Sequence, residues 1–150
     1  IITMAKALGG GVAIGAMMAS EEVASALVPG KHASTFGGNA LACAAACAVI
    51  ETIEQNNLLQ KAVELGAYAA DKLNQLKERY HIIDHIRGRG LMIGVQLNAD
   101  GSSIVDRCLE NNLRINCTNS TVLRFMPPMT ADTSMIDEAV SILDKVLKES

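Results

Sequence analysis

Three stretches of the chain have the hydrophobic spacing of helices. From Asn57 to about Tyr80, leucine and alanine recur at steps of three or four residues while most charged residues lie off that stripe, which predicts a long helix with one buried side. Residues 40–53 follow a good N-cap, Asn39, and are apolar on most faces. They predict a buried helix that packs either in the core or at a subunit interface. A last helix is expected after Asp132.

Shorter apolar runs predict strands. Residues 12–19 have the pattern of a buried strand, and Ile1-Ile2 that of the end of another. The first of two later strand pairs would be joined by a turn at residues 87–90, and the second by a hairpin connection at residues 119–120. The four strands of these pairs are predicted at residues 82–86, 91–97, 113–117 and 122–125.

The order of the elements predicts an α/β fold in two parts. An apolar α/β segment extends to about residue 55, and it includes a short helix after Ser20. Residues 56–150 would form a linking helix and a small α+β domain, with a further helix at about 101–111. Because the strands of this second part are short and sequential, we expect an antiparallel or mixed sheet covered by helices.

Composition excludes several classes of function. The formal net charge is -3, from 13 basic and 16 acidic residues, and no basic stripe indicates a nucleic acid or a membrane surface as a partner. No apolar run is long enough to span a bilayer. The four cysteines form no CxxC pair and the histidines are not spaced as zinc ligands, so we expect reduced thiols, no metal site and a cytoplasmic location.

Lys6 is the first candidate for chemistry. It lies in the string TMAKALGGG, with apolar neighbours that could bury its amine and three glycines that let a flat or phosphorylated ligand approach the backbone. A lysine amine attacks a carbonyl only when it is neutral, and burial or nearby positive charge favours that form. The alternatives are a surface lysine before a turn, or a phosphate-binding glycine loop, although the P-loop spacing is missing.

Thr35 and Arg124 are the other candidates. Thr35 lies in a glycine-flanked loop just before a helix, where a hydroxyl and free amides suit a phosphate, unless the loop is an ordinary turn. Arg124 lies within the apolar run VLRFMPP, which predicts a buried guanidinium that needs a carboxylate from a ligand or from an ion pair within the protein. Arg87 and Arg89 flank glycines at the predicted turn, and we expect them to be mainly structural.

Several strings together resemble one family. The lysine string, HASTFGGN, the alanine-rich helix, RGRGLMIGVQL and INCTNSTVLRFMPP resemble the C-terminal part of class III pyridoxal-phosphate aminotransferases, and most closely the acetylornithine aminotransferases. The resemblance implies that Lys6 forms the Schiff base with pyridoxal 5'-phosphate (PLP). It also implies that Thr35 binds the cofactor phosphate across a homodimer and that Arg124 lies near the substrate carboxylate. Ala40 stands where the family usually has proline, a mild departure.

The resemblance implies a fold and a reaction. The fold would be the C-terminal portion of a fold type I PLP-dependent transferase, with residues 1–55 from the large PLP-binding domain and residues 56–150 forming the linking helix and small C-terminal domain. The reaction would move an amino group from N-acetylornithine, or a similar ω-amino acid, to 2-oxoglutarate in arginine biosynthesis. Ornithine and 4-aminobutyrate aminotransferases are the nearest alternatives.

The resemblance also implies that part of the active site lies outside this sequence. The acid on the pyridine nitrogen, the main phosphate loop and the stacking aromatic ring are all expected before Lys6. The 150 residues alone are therefore expected to be inactive. A different alternative is a non-catalytic fragment that folds and self-associates without cofactor.

Overall fold

The computed structural model describes residues 1–149, which divide into two compact units. The first unit comprises Ile1–Asn57 and the second begins at Leu58. The prediction that residues 1–55 belong to a large domain and residues 56–150 to a small one concerns the complete protein, and it stays a prediction.

The first unit is small and contains little regular structure. Two short strands pair in antiparallel register, with Ile2 opposite Met18 and Met4 opposite Ala16. A 3-10 turn follows the first strand, and the longest element is a helix of 16 residues. In chain order the elements are β1 (Ile2–Met4), the 3-10 turn (Lys6–Gly9), β2 (Ala16–Met18), α1 (Glu21–Ala24) and α2 (Ala40–Gln55).

The prediction of a buried strand at residues 12–19 is wrong for this chain. Only Ala16–Met18 is a strand, and Met17 and Met18 are about half exposed. A two-stranded sheet covers neither of its own faces, so apolar side chains on both strands remain open to solvent. The apolar pattern indicated a strand correctly, but it could not show what covers it.

Helix α2 begins where its sequence predicts. The side chain of Asn39 accepts a hydrogen bond from the Ala42 amide at 2.9 Å, which is the expected N-cap. The predicted burial holds for only one side of the helix, where Ala42 and Ala46 face inward, while Leu41 is exposed. Within the first unit this helix packs against the 3-10 turn, which contacts only part of its circumference.

The second unit is an antiparallel sheet with three helices. The sheet order is β3-β4-β6-β5, and every neighbouring pair is antiparallel. Residues of α3, α4 and α5 share one hydrophobic core with the odd-numbered residues of β4, which are buried while its even-numbered residues are not. The elements are α3 (Leu58–Arg79), β3 (Ile83–Arg89), β4 (Met92–Leu97), α4 (Ser102–Glu110), β5 (Asn116–Thr118), β6 (Val122–Phe125) and α5 (Thr133–Lys148).

The connections of the sheet confirm one predicted turn and correct the other. Asn119 and Ser120 both have left-handed backbones, as a tight hairpin connection requires. The turn predicted at residues 87–90 is shorter, because β3 continues through Arg89. Gly88 permits this, since a Cβ there would lie 2.3 Å from the carbonyl oxygen of Met92. Arg87 and Arg89 are therefore strand residues.

Two carboxylates of α5, Asp137 and Asp144, form polar contacts outside the core with α3 and with the residue that follows it. Asp137 accepts a hydrogen bond from the Tyr68 hydroxyl at 2.8 Å and pairs with Lys72 Nζ at 2.9 Å. Seven residues further along α5, Asp144 accepts a hydrogen bond at 2.6 Å from the hydroxyl of Tyr80, the residue that follows α3. These contacts add to the apolar packing of α3 and α5 in the shared core.

Candidate functional site

Lys6 opens the 3-10 turn of the first unit. Its φ is 56°, in the left-handed region, which costs a residue other than glycine about 1–3 kcal/mol. Gly10 caps the turn at its C-terminal end, and its amide donates to the Ala7 carbonyl at 3.1 Å. Gly10 has a φ of 58°, and a Cβ there would lie 3.0 Å from Val49 Cγ2 of α2. Because glycine has no side chain, this position lets the lysine turn lie close against α2.

The side chain of Lys6 is open rather than buried. The sequence suggested burial by apolar neighbours, but Lys6 is exposed, as are Ala5 and Ala7 beside it. Within residues 1–149, Lys6 takes part in none of the ion pairs. Its amine is thus available to a ligand and is not neutralised by a carboxylate of this part of the chain.

Thr35 lies in an exposed loop that leads into α2. The side chain that stabilises the turn in this loop is Ser34, whose hydroxyl accepts a hydrogen bond from the Gly37 amide at 3.1 Å. The Thr35 hydroxyl forms no hydrogen bond within residues 1–149, and Phe36 beside it is 80% exposed. Thr35 therefore keeps a free hydroxyl just ahead of a helix N-terminus. No hydrogen bond or ion pair joins it to Lys6 in the described part of the first unit.

Arg124 is on β6 of the second unit, and the prediction of a buried guanidinium is wrong. Side chains alternate along β6, so Leu123 and Phe125 enter the core while Arg124 points to the other, exposed face. Its Nη2 lies 3.0 Å from Met126 Sδ, a weak acceptor. Because the described residues offer this guanidinium no carboxylate, it remains available to an anion.

The cavity beside Arg124 contains a second arginine that sequence reasoning missed. Arg114 and Arg124 both line a cavity of about 230 Å³ whose other walls are mostly apolar and include Pro127 and Pro128. The available signal was the spacing of Arg114 and Asn116, which share one side of an extended segment. That signal becomes useful only once β5 is known to pair with β6.

Arg87 is held in a hydrogen-bond chain across the exposed face of the same sheet. Its Nη1 donates to Gln96 Oε1 at 2.9 Å and lies 2.9 Å from His85 Nε2. His85 Nδ1 lies 2.7 Å from a carboxylate oxygen of Asp84. These contacts agree with the expectation that Arg87 is mainly structural.

The first unit fits two functional groups of PLP. The exposed Lys6 amine suits an aldehyde carbon, and the free Thr35 hydroxyl suits a phosphate oxygen. Residues 1–149 contain no group of three or more His, Cys, Asp or Glu side chains placed to hold a metal ion. In the same part of the chain, no helix is both long and apolar enough to cross a membrane.

Comparison with known proteins identifies the family. The sequence profile of the aminotransferase class-III family matches residues 1–147. The chain is 50% identical to an acetylornithine aminotransferase of Methanocaldococcus jannaschii over 149 residues, which cover 99% of this chain and 37% of that protein. It is 44% identical to an acetylornithine aminotransferase of Clostridium acetobutylicum over 149 residues, 99% of this chain and 38% of that protein.

Solved structures of this family have the same fold over this region. The acetylornithine aminotransferase of Elizabethkingia anophelis superposes with a TM-score of 0.90 at 30% identity, covering 99% of this chain and 40% of that one. An ornithine aminotransferase of Toxoplasma gondii, described with partial occupancy of PLP at its active site, superposes with a TM-score of 0.90 at 33% identity. The match covers 98% of this chain and 36% of that one. The predicted fold class, a portion of a PLP-dependent aminotransferase fold, is confirmed.

This chain is shorter than the two curated relatives. It spans between 37% and 38% of their length, so these comparisons concern about two fifths of such a protein. Over that length the family match is almost continuous, from the lysine turn of the first unit to the last helix of the second. The chain belongs to the class III aminotransferases.

Proposed function

We propose that the complete protein transfers an amino group from N-acetylornithine, or a similar ω-amino acid, to 2-oxoglutarate, as a step of arginine biosynthesis in the cytoplasm. The observation that carries this proposal is the 50% identity to the Methanocaldococcus jannaschii acetylornithine aminotransferase across 99% of the chain. The exposed amine of Lys6 on its glycine turn supports it, because that amine is placed for a covalent bond to a carbonyl ligand.

Lys6 is proposed as the catalytic residue. Bound PLP would supply the electron sink that stabilises negative charge at the substrate Cα. Lys6 Nζ would hold the cofactor between turnovers and give way to the amino group of the substrate. Its freed amine would then take the proton from the substrate Cα and return a proton to the adjoining cofactor carbon.

Thr35 and Arg124 are proposed as binding residues. The Thr35 hydroxyl would donate a hydrogen bond to a phosphate oxygen of PLP, in a homodimer where it serves the neighbouring subunit. Arg124 would bind a substrate carboxylate through two parallel N–H donors, which positions the substrate as well as attracting it. The free hydroxyl of Thr35 and the guanidinium of Arg124, which has no carboxylate partner among residues 1–149, support these roles.

A direct assay tests the proposal. The complete protein with PLP and 2-oxoglutarate is supplied separately with N-acetylornithine, ornithine and 4-aminobutyrate, and glutamate formation is followed. N-acetylornithine should give the highest kcat/KM. A higher value for ornithine or 4-aminobutyrate would assign the protein to one of those activities instead, and the absence of glutamate with all three donors would overturn the proposal.

A second candidate concerns the 150 residues by themselves. Many large apolar side chains of the first unit are exposed, including Leu41 on α2 and Phe36 before it. Exposed apolar surface of this kind favours association, so the isolated chain would form a non-catalytic assembly that binds PLP weakly or not at all. Light scattering and the visible spectrum with equimolar PLP test this directly. A stable yellow complex with turnover, or a monomer in solution, would contradict it.

A further inference from the structure

Two arginines share one cavity of the second unit without a carboxylate to neutralise them. Among residues 1–149 the ion pairs formed by lysine or arginine are Lys72–Asp137 and Arg79–Asp144, and neither involves the cavity. Arg124 has only the thioether of Met126, and Arg114 has no hydrogen bond with the described residues. The cavity therefore presents two cations whose N–H donors are largely unused.

Strand pairing explains why these side chains meet. Arg124 of β6 lies directly opposite Asn116 of β5. Arg114 comes two residues before Asn116, and exposure alternates here, with Leu113 and Ile115 half-buried and Arg114 and Asn116 exposed. All three polar side chains thus point to the same face. They also line a second, adjoining cavity of about 330 Å³.

The surroundings of the two guanidiniums favour a bound anion. Both guanidiniums are exposed, so water screens the repulsion between them, but the mostly apolar walls of the cavity offer an anion few competing donors. Pro127 and Pro128 form part of those walls and carry no N–H group of their own. A planar carboxylate matches the fork of each guanidinium, so an anion in the cavity would take up their unused N–H donors.

We propose that Arg114 is a second carboxylate-binding residue of this cavity, and that with Arg124 it selects substrates with two carboxylates over substrates with one. The inference rests on the proposed function. Glutamate and 2-oxoglutarate each carry two carboxylates, whereas N-acetylornithine carries one. Arg114 would thus act in the half of the reaction that uses the dicarboxylic pair and would contribute little to the other half.

The test separates the two half-reactions in the complete, PLP-loaded protein. Arg114→Met keeps the aliphatic length and removes the charge, and Arg114→Lys restores the charge without the fork. Arg114→Met should raise the half-saturating glutamate concentration about tenfold, the size of one charge-assisted contact, and change that of N-acetylornithine less than about twofold. The half-saturating glutamate concentration of Arg114→Lys should lie between the values for wild type and Arg114→Met.

A matched control and a binding measurement complete the design. Arg89→Met removes an exposed arginine of the same sheet that lines neither cavity, and it should leave both half-reactions unchanged. Glutarate, a dicarboxylate that cannot react, should raise the melting temperature of wild type more than that of Arg114→Met. Butyrate, which carries one carboxylate, should change the two melting temperatures equally.

Each outcome bears on Arg114 separately from the proposed function. An equal loss with glutamate and N-acetylornithine, or no loss with either, would overturn the role of Arg114, as would equal protection of both proteins by glutarate. If no amino donor supports turnover, the proposed function fails, and the glutarate measurement still decides whether Arg114 binds a dicarboxylate.

Discussion

Gly66, in the middle of α3, lies against the backbone of Gly90 at the turn between β3 and β4. A Cβ on Gly66 would sit 2.3 Å from the Gly90 carbonyl oxygen and 2.8 Å from its Cα. The turn itself depends on glycine, because Gly90 has a φ of 53°. The close approach of helix and sheet in the second unit thus depends on two glycines from separate elements.

Substitution of Gly66 should therefore destabilise the second unit. Alanine would gain about 1 kcal/mol in helix propensity. The overlap with the Gly90 backbone cannot be relieved by a rotamer change, so we expect Gly66→Ala to lower the free energy of unfolding by about 1–3 kcal/mol in urea denaturation of the complete protein. Lys61→Ala, at an exposed site of α3, is the control. Equal stability of Gly66→Ala and the control would show that helix and turn can move apart freely.

The contact of Asp137 with α3 should make stability depend on pH. The hydrogen bond from Lys72, followed by that from Tyr68, holds the pKa of Asp137 below its ordinary value. A carboxyl with a lowered folded pKa stabilises the protein above its unfolded pKa, about 3.9, and loses that contribution as pH falls through the folded value. The same contact with Asp137 raises the pKa of Lys72. The contribution of Lys72 to stability is therefore lost only at high pH, when its amine loses its proton.

Asp137→Asn should accordingly be less stable than wild type at pH 7, and the difference should shrink below about pH 4. Thermal melts at both pH values measure it. Glu138→Gln removes a neighbouring exposed charge that has no ion pair within residues 1–149, and it should show no such convergence. A constant difference between Asp137→Asn and wild type from pH 7 to pH 3 would mean that the ion pair does not stabilise the helix packing.

Lys6 should be the only lysine that binds PLP covalently. Borohydride reduction of the PLP-loaded complete protein, followed by peptide mass spectrometry, should place the pyridoxyl group on Lys6. Lys6→Ala should lower kcat by roughly 10²–10⁴-fold, the usual contribution of a positioned proton-transfer group. Lys31→Ala, which removes another exposed lysine of the first unit, should remain active. An adduct on Lys31 in place of Lys6 would overturn the assignment.

Arg124 should contribute through its fork geometry as well as its charge. Arg124→Lys keeps the positive charge but loses the paired N–H donors, so it should raise the amino-acid KM or lower turnover roughly tenfold. Because Arg124 is exposed and its one hydrogen bond is to a thioether, the melting temperature of the Arg124→Lys protein should equal that of wild type. Arg89→Lys is the matched control on the same sheet. Unchanged kinetics in Arg124→Lys would leave Arg124 as a surface residue.

Local patterns were sufficient to predict the helices of the second unit. The predicted helix from Asn57 to about Tyr80 is α3 within one residue at each end, since its apolar stripe needs no knowledge of distant residues. The caps at Asn39 and Asp132 were predictable for the same reason, because an N-cap bonds to an amide three residues away. The strings around Lys6 and Thr35 likewise carried the family resemblance without any tertiary information.

The sequence by itself indicated most of the elements and their order, and it singled out Lys6, Thr35 and Arg124 as candidate residues. Only the tertiary structure decided which way Arg124 points, because an apolar strand does not state which of its faces is covered until its neighbours are known. The pairing of β5 with β6 brought Arg114 into the same cavity, and the approach of α3 to Gly90 leaves no room for a side chain at Gly66. These relationships join residues far apart in the chain, and their energies depend on contacts that no local pattern contains.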